Sequence, residues 1–471
     1  LQYELAVPLA MILVMIFLAP LFRELKLVSI YEYLEMRFDR GTRLVMSATF
    51  LLSRGLATGV LIYASGEVLS VCMGLDLWTC MLIVGVATII YDVLGGMAAV
   101  VWSDVVQMVV LIGGVVVCIV LALGRVGGMS EAIAAHDAAR LVAYDPGVGL
   151  GDGAQAPFWG FLIGGLCLYV SYYGVDQTQA QRQLCTPDVA AGRRSLVFNG
   201  LARFPLTVLY VVTGLIVGAY FFRSPELQAA IGDNPNRLMP AFIVGELPAG
   251  VRGVVIAAIL AASMSSLDST LNSMSASTIR DFVQPYARRE LDGRRLLRWS
   301  RITTFSWGAV ITLFGFALSK IARESSVVET INMIGSVFYG PILAAFLSGI
   351  LDRRARGPAV IAGIALGVAA NVALWQGWEK PVVEAIWPGY QGTYWMWLNA
   401  TGLVVAALVT VIASRFMAPP APAQIQGTTL TLGQIGERER PFVSMHIGLL
   451  CYFALIAAAI FGSAAILDLF R

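Results

Sequence analysis

The sequence predicts an all-α protein that crosses a lipid bilayer many times. Of its 471 residues, 58% are hydrophobic and only 13% are charged, and the mean hydropathy is +0.76. Soluble domains carry about 25% charged residues, so this composition does not fit a water-soluble fold. Apolar windows of about 20 residues, the length that crosses the hydrocarbon core, recur along the whole chain. We therefore expect an integral membrane protein.

Twelve apolar windows predict twelve transmembrane helices. Several of them exceed the length of one span, which implies tilt or extension beyond the membrane. The predicted helices cover 1–22, 43–73, 77–95, 101–124, 157–179, 196–222, 250–282, 297–319, 326–350, 357–377, 394–414 and 442–469.

Lys and Arg residues predict the orientation, because cytoplasmic loops carry an excess of them. With the loop after the first helix in the cytoplasm, cytoplasmic segments hold 21 of the 32 Lys and Arg residues and the opposite side holds 9. This topology places the Pro- and Thr-rich segment 418–440 in the cytoplasm, where we expect a flexible linker before the last helix.

Other functional classes find little support in the sequence. His136 and His446 are the two histidines, which does not favour a His-based metal site or a catalytic dyad, and no nucleotide-binding motif is present. We therefore expect neither an enzyme nor an organic cofactor, and no nucleic-acid partner. The expected surroundings are the lipid bilayer, and the expected state is a monomer.

A polar stripe lies on the seventh predicted helix. At roughly 100° per residue, Ala262, Ser265, Ser266 and Ser269 share one face, with Asp268 further round. Hydroxyls and carboxylates are costly at membrane depth, and hard oxygens are the ligands that a dehydrated cation such as Na⁺ needs. The alternative is that these hydroxyls join helices or bond back to their own i−4 carbonyls. The intramembrane carboxylates favour ion binding.

Five further polar residues fall within or beside predicted helices. Arg54 and Arg203 extend to the interface, or satisfy the carbonyls of a broken helix, or bind a carboxylate or hydroxylated substrate, since Arg suits bidentate recognition. Asp104 either caps a helix at the cytoplasmic side or has a functional role. Asp176 and Gln177 indicate either an interrupted helix, as in transporter binding sites, or the end of a helix in an interfacial aromatic belt.

Four segments carry a more specific signal: 31–38 (YEYLEMRF), 95–107 (GGMAAVVWSDVVQ), Asp176-Gln177 with Gln181-Arg182, and 265–269 (SSLDS). Together they resemble the sodium/solute symporter family, which includes sodium-coupled transporters of sugars, proline, iodide and sialic acid. The segments occur in the family's order, and the helix pattern beyond them also fits. One segment alone would be weak evidence for the family, whereas the four segments together are specific to it.

The resemblance implies a leucine-transporter-like fold, with two inverted five-helix repeats and extra C-terminal helices. In one transmembrane domain over 1–471, the first repeat would be 1–124 without its first helix, the second 157–350, and the extra helices 357–471. The family's unwound helix would precede Gln2. We therefore expect an N-terminally truncated chain that cannot transport as given, although a full-length parent could.

The resemblance also implies Na⁺ as the coupling ion. The principal site would use the carbonyl of Ala262 and nearby serine hydroxyls, and Asp104 matches an aspartate that the family associates with sodium or proton coupling. Asp268 stands where Ser is also found, and would add an ion ligand, a protonatable group or a salt bridge. The residues expected at the sodium sites are Ala262, Ser265, Ser266, Ser269, Asp104 and Asp268.

The sugar-transporting members imply a substrate site in which Tyr172 is a gating residue. Arg203 stands for a lysine, Asn332 for a glutamine and Tyr169 for an asparagine, so galactose-like specificity is not implied. Arg54 lies about one helical turn from the carboxylate-binding arginine of the sialic acid members, which leaves an anionic substrate open. The expected substrate-site residues are Glu4, Tyr169, Tyr172, Arg203, Asn332 and Arg54, with Asp176 and Gln177 in gating or structural roles.

The sequence thus predicts a multi-pass secondary active transporter of the bacterial inner membrane. It would import a small organic solute (a sugar, polyol or carboxylate) with Na⁺ by alternating access. Two alternatives stay open: a membrane solute sensor, and a transport-inactive fragment of such a symporter.

Overall fold

The computed structural model describes residues 2–94, 97–137, 141, 157–232, 234–287, 292–324, 326–390 and 392–469. Within these ranges the chain forms helices joined by turns and loops, and no β-strand. Ten of these helices are long and apolar enough to cross a membrane, and two shorter apolar helices, Leu77–Val93 and Gly160–Gly174, lie at the other two predicted positions. The prediction of an all-α, multi-pass membrane protein is confirmed.

The helices follow the predicted order with shifted ends. The first nine are α1 Val7–Glu24, α2 Tyr31–Arg37, α3 Arg40–Met73, α4 Leu77–Leu94, α5 Met97–Val126, α6 Met129–Ala134, α7 Gly160–Gly174, α8 Gln177–Leu184 and α9 Val189–Arg223. The rest are α10 Pro225–Ile231, α11 Leu238–Glu246, α12 Ala249–Tyr286, α13 Gly293–Glu324, α14 Val327–Leu351, α15 Gly357–Trp375, α16 Lys380–Ile386, α17 Trp395–Arg415, α18 Pro422–Ile425, α19 Leu432–Glu439 and α20 Val443–Leu469.

Three of these helices contain a wider, π-helical turn. The turns lie at Val14–Leu18 in α1, at Gly160–Gly164 in α7 and at Thr278–Val283 in α12. A π-helical turn locally interrupts the i→i−4 hydrogen-bond pattern, and such turns are frequent at functional sites. Both α7 and α12 carry residues that the sequence assigned to ligand binding.

The chain divides into two compact units, each built from separate stretches of sequence. The first unit comprises Leu1–Phe50, Val142–Thr207 and Gly335–Arg471, and the second comprises Leu51–Leu141 and Val208–Ile334. The predicted assignment of repeats within one transmembrane domain stays a prediction.

In the first unit, a proline in α14 creates a polar joint between helices. Pro341 has no N–H to donate to the carbonyl of Val337, four residues earlier. The fully buried Asn371 of α15 supplies the missing donor, with its Nδ2 2.9 Å from that oxygen. Next to the proline, Gly340 lets α17 approach, since a Cβ there would lie 2.2 Å from the carbonyl oxygen of Asn399. Small residues and buried amides are typical contacts between membrane helices.

The second unit packs its helices through small residues as well. A Cβ on Gly59 of α3 would lie 2.9 Å from the backbone nitrogen of Gly315 in α13, and a Cβ on Gly85 of α4 would lie 2.5 Å from Thr312 Oγ1. The α13 helix therefore lies close to both α3 and α4. A separate apolar cluster joins α5, α9, α11 and α12, and includes Cys118, Ile216, Phe242, Ile243 and Val255.

The prediction of a flexible linker at 418–440 is wrong. The segment forms α18 and α19, and its middle is fixed by backbone contacts within the first unit. Tyr33 Oη donates to the carbonyl of Thr428 at 3.0 Å, and the N–H of Leu430 donates to the carbonyl of Ile350 at 3.0 Å. The Pro and Thr content suggested flexibility, whereas these tertiary hydrogen bonds decide the local conformation.

The contact of Gly340 with α17 generates a stability prediction. Gly340→Ala should lower the free energy of unfolding by about 1–3 kcal/mol, because the new methyl group meets backbone atoms that can yield only by moving a helix. Thermal denaturation of the purified protein in lipid measures the effect. Gly448→Ala is the matched control, since it also lies inside a helix and has nothing within 4 Å of its Cβ. Equal melting temperatures for the two variants would contradict the close packing.

Candidate functional site

A buried carboxylate organises the predicted substrate residues of the first unit. Glu4 ends a short 3-10 helix before α1, and its side chain is 4% exposed. Its Oε1 accepts a hydrogen bond from Arg203 Nε at 3.0 Å, and its Oε2 accepts one from Tyr169 Oη at 2.9 Å. The structure thus brings together three residues that are far apart in sequence. We call Glu4, Tyr169 and Arg203 the first-unit cluster.

Arg203 is held by one edge and open along the other. Its Nε is committed to Glu4, its side chain is 41% exposed, and its two Nη groups have no partner among the described residues. A guanidinium fixed through Nε presents a planar pair of donors that matches a carboxylate. The alternative that Arg203 satisfies the carbonyl freed by Pro205 is wrong, because Tyr452 Oη donates to that carbonyl, of Leu201, at 2.8 Å.

Tyr172 lies among aromatic rings beside the first-unit cluster. Its ring is edge-on to Tyr173 and Tyr339, with centroid distances of 5.1 and 6.4 Å. Gln179 Nε2 donates to its hydroxyl at 2.9 Å. Tyr172 is only partly buried, so its ring and hydroxyl can contact a ligand as well as these neighbours.

The chain breaks its helix directly after these tyrosines. Where the sequence predicted a helix to 179, α7 ends at Gly174, and the N–H of Asp176 turns back to the carbonyl of Ser171 at 3.1 Å. Asp176 then caps α8 by accepting from the N–H of Thr178 at 2.9 Å. This is the interrupted helix that the sequence offered as one alternative. The end of α7 and the start of α8 therefore lie close in sequence to Tyr169 and Tyr172.

Gln177 joins this break to the loop before α2. Its Oε1 accepts from the N–H of Ile30 at 2.9 Å, and its Nε2 donates to the carbonyl of Val28 at 3.1 Å. The side chain is 1% exposed and its bond to Ile30 is buried, so the N–H of Ile30 has no access to water as a substitute. Gln177 therefore holds the loop in place.

The serine stripe of α12 runs from a partly exposed end to a buried one. Ala262 and Ser265 are partly buried and Ser266 is exposed, whereas Asp268 and Ser269 are 1% and 4% exposed. Ser266 Oγ donates to the carbonyl of Ala262 at 3.3 Å, and Ser269 Oγ donates to that of Ser265 at 2.8 Å. These are the i−4 bonds that the structural alternative predicted.

Such bonds also leave room for a cation. A hydroxyl that donates its proton to the i−4 carbonyl has its lone pairs turned away from the helix, where they can face a cation. In α12, Ser266 and Ser269 do this one turn apart on one face. The residues present thus fit a site for a hard monovalent cation.

The remaining predicted residues have other positions. The side chain of Asp104 lies outside the described residues; its backbone is inside α5, which begins at Met97, so Asp104 does not cap that helix. Arg54 and Asn332 belong to the second unit, on α3 and α14, and are not part of the first-unit cluster. Asn332 Nδ2 donates to the carbonyl of Val328 at 2.7 Å.

Sequence reasoning missed a buried carboxylate site in the second unit. Glu67 of α3 is 2% exposed, and its Oε1 accepts from Asn234 Nδ2 at 3.1 Å and from Arg237 Nε. A charged residue inside a predicted apolar helix was the available signal. The contact ties α3 to the segment between α10 and α11.

Broken helices, buried polar residues at helix ends and many membrane-spanning helices are features that secondary transporters of the broken-helix class share. The chain belongs to the sodium:solute symporter family, whose family model matches residues 1–367. The family resemblance predicted from the motifs is therefore confirmed.

Several relatives of known function are similar in sequence. The human sodium/iodide cotransporter is 30% identical over 76% of this chain and 55% of its own length, and human sodium-coupled monocarboxylate transporter 1 is 30% identical over 76% and 58%. The sodium/sialic acid symporter SiaT of Proteus mirabilis is 28% identical over 77% of this chain and 72% of its own length. The chain thus spans little more than half of the two human relatives.

Solved structures show the same fold. A substrate-bound, outward-open Na⁺-coupled sialic acid symporter matches with a TM-score of 0.74 and 26% identity, over 89% of this chain and 84% of that one. The inward-facing transporter Mhp1 matches with a TM-score of 0.52 at 14% identity, which indicates the fold alone. The predicted leucine-transporter-like fold is confirmed by these neighbours.

The two hydrogen bonds of Gln177 generate a prediction. Gln177→Leu keeps the volume of the side chain but leaves the buried N–H of Ile30 unpaired, which should lower the free energy of unfolding by about 1–3 kcal/mol. Thermal denaturation in lipid measures the loss. Gln426→Leu is the control, because Gln426 is exposed. A melting temperature of Gln177→Leu as high as that of the control would contradict the anchoring role.

Proposed function

We propose that this chain forms the transport domain of a symporter that imports a small organic solute with Na⁺ by alternating access. The observation that carries the proposal is the pair of serine hydroxyls on α12, bonded back so that their lone pairs can accept a cation. Family membership and sodium-coupled relatives support it. The family and its structural neighbours are transporters rather than enzymes.

The sodium ligands in this proposal come from α12 and α5. The carbonyl of Ala262 and the hydroxyls of Ser265 and Ser266 form the principal site, and Ser269 with Asp104 contributes to a second one. Asp268, which is buried on the same helix, supplies negative charge near both. Oxygen ligands replace the water that Na⁺ loses on entering the membrane.

The solute in this proposal is a small carboxylate. Arg203 offers its free Nη edge to the carboxylate, Tyr169 and Glu4 fix the guanidinium, and Tyr172 covers the bound solute. Relatives named for iodide, monocarboxylate and sialic acid all transport anions, which supports an anionic solute over a neutral sugar or polyol.

Transport of the solute is coupled to transport of Na⁺ because the protein closes around its ligands only when both are bound. A ligand shifts a conformational equilibrium only by its differential affinity for the two states, so each ligand contributes a part of the shift. Na⁺ also offsets the charge of the solute carboxylate at membrane depth. We place the protein in the inner membrane of a bacterium as a monomer. Uptake into vesicles distinguishes this function from that of a solute sensor or of a transport-inactive fragment.

The sodium assignment predicts an effect of single serine substitutions. Ser266→Ala and Ser269→Ala should each weaken Na⁺ binding about tenfold, which corresponds to about 1.4 kcal/mol, because each removes one cation ligand. The measurement is the Na⁺ concentration that gives half-maximal thermal stabilisation of the protein in lipid.

Ser263→Ala is the matched control for both variants. Ser263 lies on the same helix and makes the same kind of bond, with its Oγ 3.0 Å from the carbonyl of Ile259, but it lies off the stripe. Its half-maximal Na⁺ concentration should equal that of the wild type. If all three variants weaken Na⁺ binding alike, the hydroxyls have a structural role and the assignment is wrong.

If Arg203 binds the solute carboxylate, a substitution that keeps its positive charge should still weaken solute binding. Arg203→Lys keeps the positive charge but loses the planar pair of donors, and should weaken binding of lactate and N-acetylneuraminate at least tenfold. Binding is measured by thermal shift in saturating Na⁺, with galactose as a neutral comparison.

Arg182→Lys, at an exposed position, should leave binding of both acids unchanged. The half-maximal Na⁺ concentration of Arg203→Lys should also stay at the wild-type value. Undiminished binding of both acids by Arg203→Lys would exclude the guanidinium as the carboxylate ligand.

A further inference from the structure

A second intramembrane carboxylate of the second unit lies outside the serine stripe. Asp92 is in the last turn of α4 and is 7% exposed. Its Oδ1 accepts a hydrogen bond from Asn272 Nδ2 of α12 at 2.7 Å. Its Oδ2 is buried and has no hydrogen-bond partner within the described part of the chain.

Asn272 cannot supply the missing donor. An amide nitrogen carries two hydrogens, and Asn272 Nδ2 also donates to the carbonyl of Asp268 at 3.0 Å. Both hydrogens are therefore used, one on Asp92 and one on the backbone of α12. Asn272 thus has no hydrogen left to donate to Oδ2 of Asp92.

Burial disfavours the ionised form of Asp92, because no oppositely charged side chain among the described residues pairs with it. Asp268, one turn before Asn272 on α12, is 1% exposed and acidic. The α13 helix runs antiparallel to α4, because Gly85 contacts Thr312 and Ile89 contacts Gly308, and its basic residue towards this end, Arg301, is exposed. The α3 helix packs on α4 through Gly66 and Met81, and its basic residue at this level, Arg54, is partly buried and forms no ion pair with Asp92 within the described part of the chain. The contact partner of Asp92 is a neutral amide. An unpaired carboxylate buried in this way is far more costly than a neutral carboxyl group.

The ligand that suits Asp92 Oδ2 is a proton. A metal cation takes several oxygen ligands at once, and Asn272, the residue that bonds Asp92, turns towards the carboxylate its amide nitrogen, which cannot bind a cation. A proton needs a single oxygen lone pair and no cavity. The buried Oδ2 atom meets that requirement.

We propose that Asp92 is a proton-binding site. In the conformation described, the carboxyl group is neutral, with the proton on Oδ2 and Asn272 bonded to Oδ1 between α4 and α12. A conformation in which water reaches Oδ2 releases the proton to that water. Within the proposed symport function, proton exchange would accompany alternating access, but the proton site itself does not depend on sodium or solute binding.

Infrared spectroscopy of the full chain in lipid at neutral pH, without Na⁺ or solute, tests the proposal. The C=O stretch of a protonated carboxyl group is separate from the bands of carboxylates and shifts in D₂O. Asp92→Asn, which keeps the shape of the side chain, should remove one such band. The control is Asp76→Asn at the start of the same helix, because Asp76 is exposed and hydrogen bonds from Thr79 hold the pKa of its carboxyl below the usual range. That variant should keep the band.

A second variant keeps the test decisive if Asp92→Asn does not fold. Asn272→Ala retains Asp92 but removes the hydrogen bond to Oδ1, so the band should move to higher frequency. The proposal is overturned if the wild-type protein shows no band that depends on Asp92, or if Asn272→Ala leaves the band where it was. Because the assay contains neither Na⁺ nor solute, failure of the symport function leaves its outcome unchanged.

Discussion

The structure depends on one constraint, which is that every polar group at membrane depth needs a partner within the protein. Prolines show it most directly. Pro341 and Pro205 each free a carbonyl in the preceding turn, and Asn371 and Tyr452 donate to those carbonyls from neighbouring helices. A sequence feature that would weaken an isolated helix thereby becomes a specific contact between two helices. The same requirement positions Gln177, whose amide completes the bonding of a loop.

The residues that we propose as ligands of Na⁺ and solute satisfy this constraint only in part, and a ligand could use their remaining hydrogen-bonding capacity. Arg203 gives one edge of its guanidinium to Glu4 and keeps the other open. The serines of α12 give their protons to their own helix and keep their lone pairs. Donors for an anion and oxygens for a cation are thus arranged by the same principle, with the structural bond fixing the group and the unused side of the group facing the ligand.

Much of the fold was predictable because its signal is long and repetitive. A window of about 20 apolar residues leaves little doubt about a membrane helix, and the motifs around Asp176 and Ser265 carried the family. Helix ends were less predictable: α7 stops at Gly174 because Asp176 caps the next helix, a choice that depends on two hydrogen bonds. The linker prediction failed because the contact of Tyr33 with Thr428 joins positions nearly 400 residues apart. The pairing of Asp92 with Asn272 has the same origin, since no local pattern shows which helix face meets which carboxylate.

The central claim is that binding of Na⁺ drives accumulation of an anionic solute. Its most direct test uses proteoliposomes that carry this chain within the full-length parent expected from the sequence. The measurement is uptake of radiolabelled lactate, N-acetylneuraminate and iodide under an inward Na⁺ gradient or an equal K⁺ gradient. The account predicts that one of these anions accumulates above its external concentration with Na⁺ and only equilibrates with K⁺. Accumulation that is the same under both gradients would contradict it.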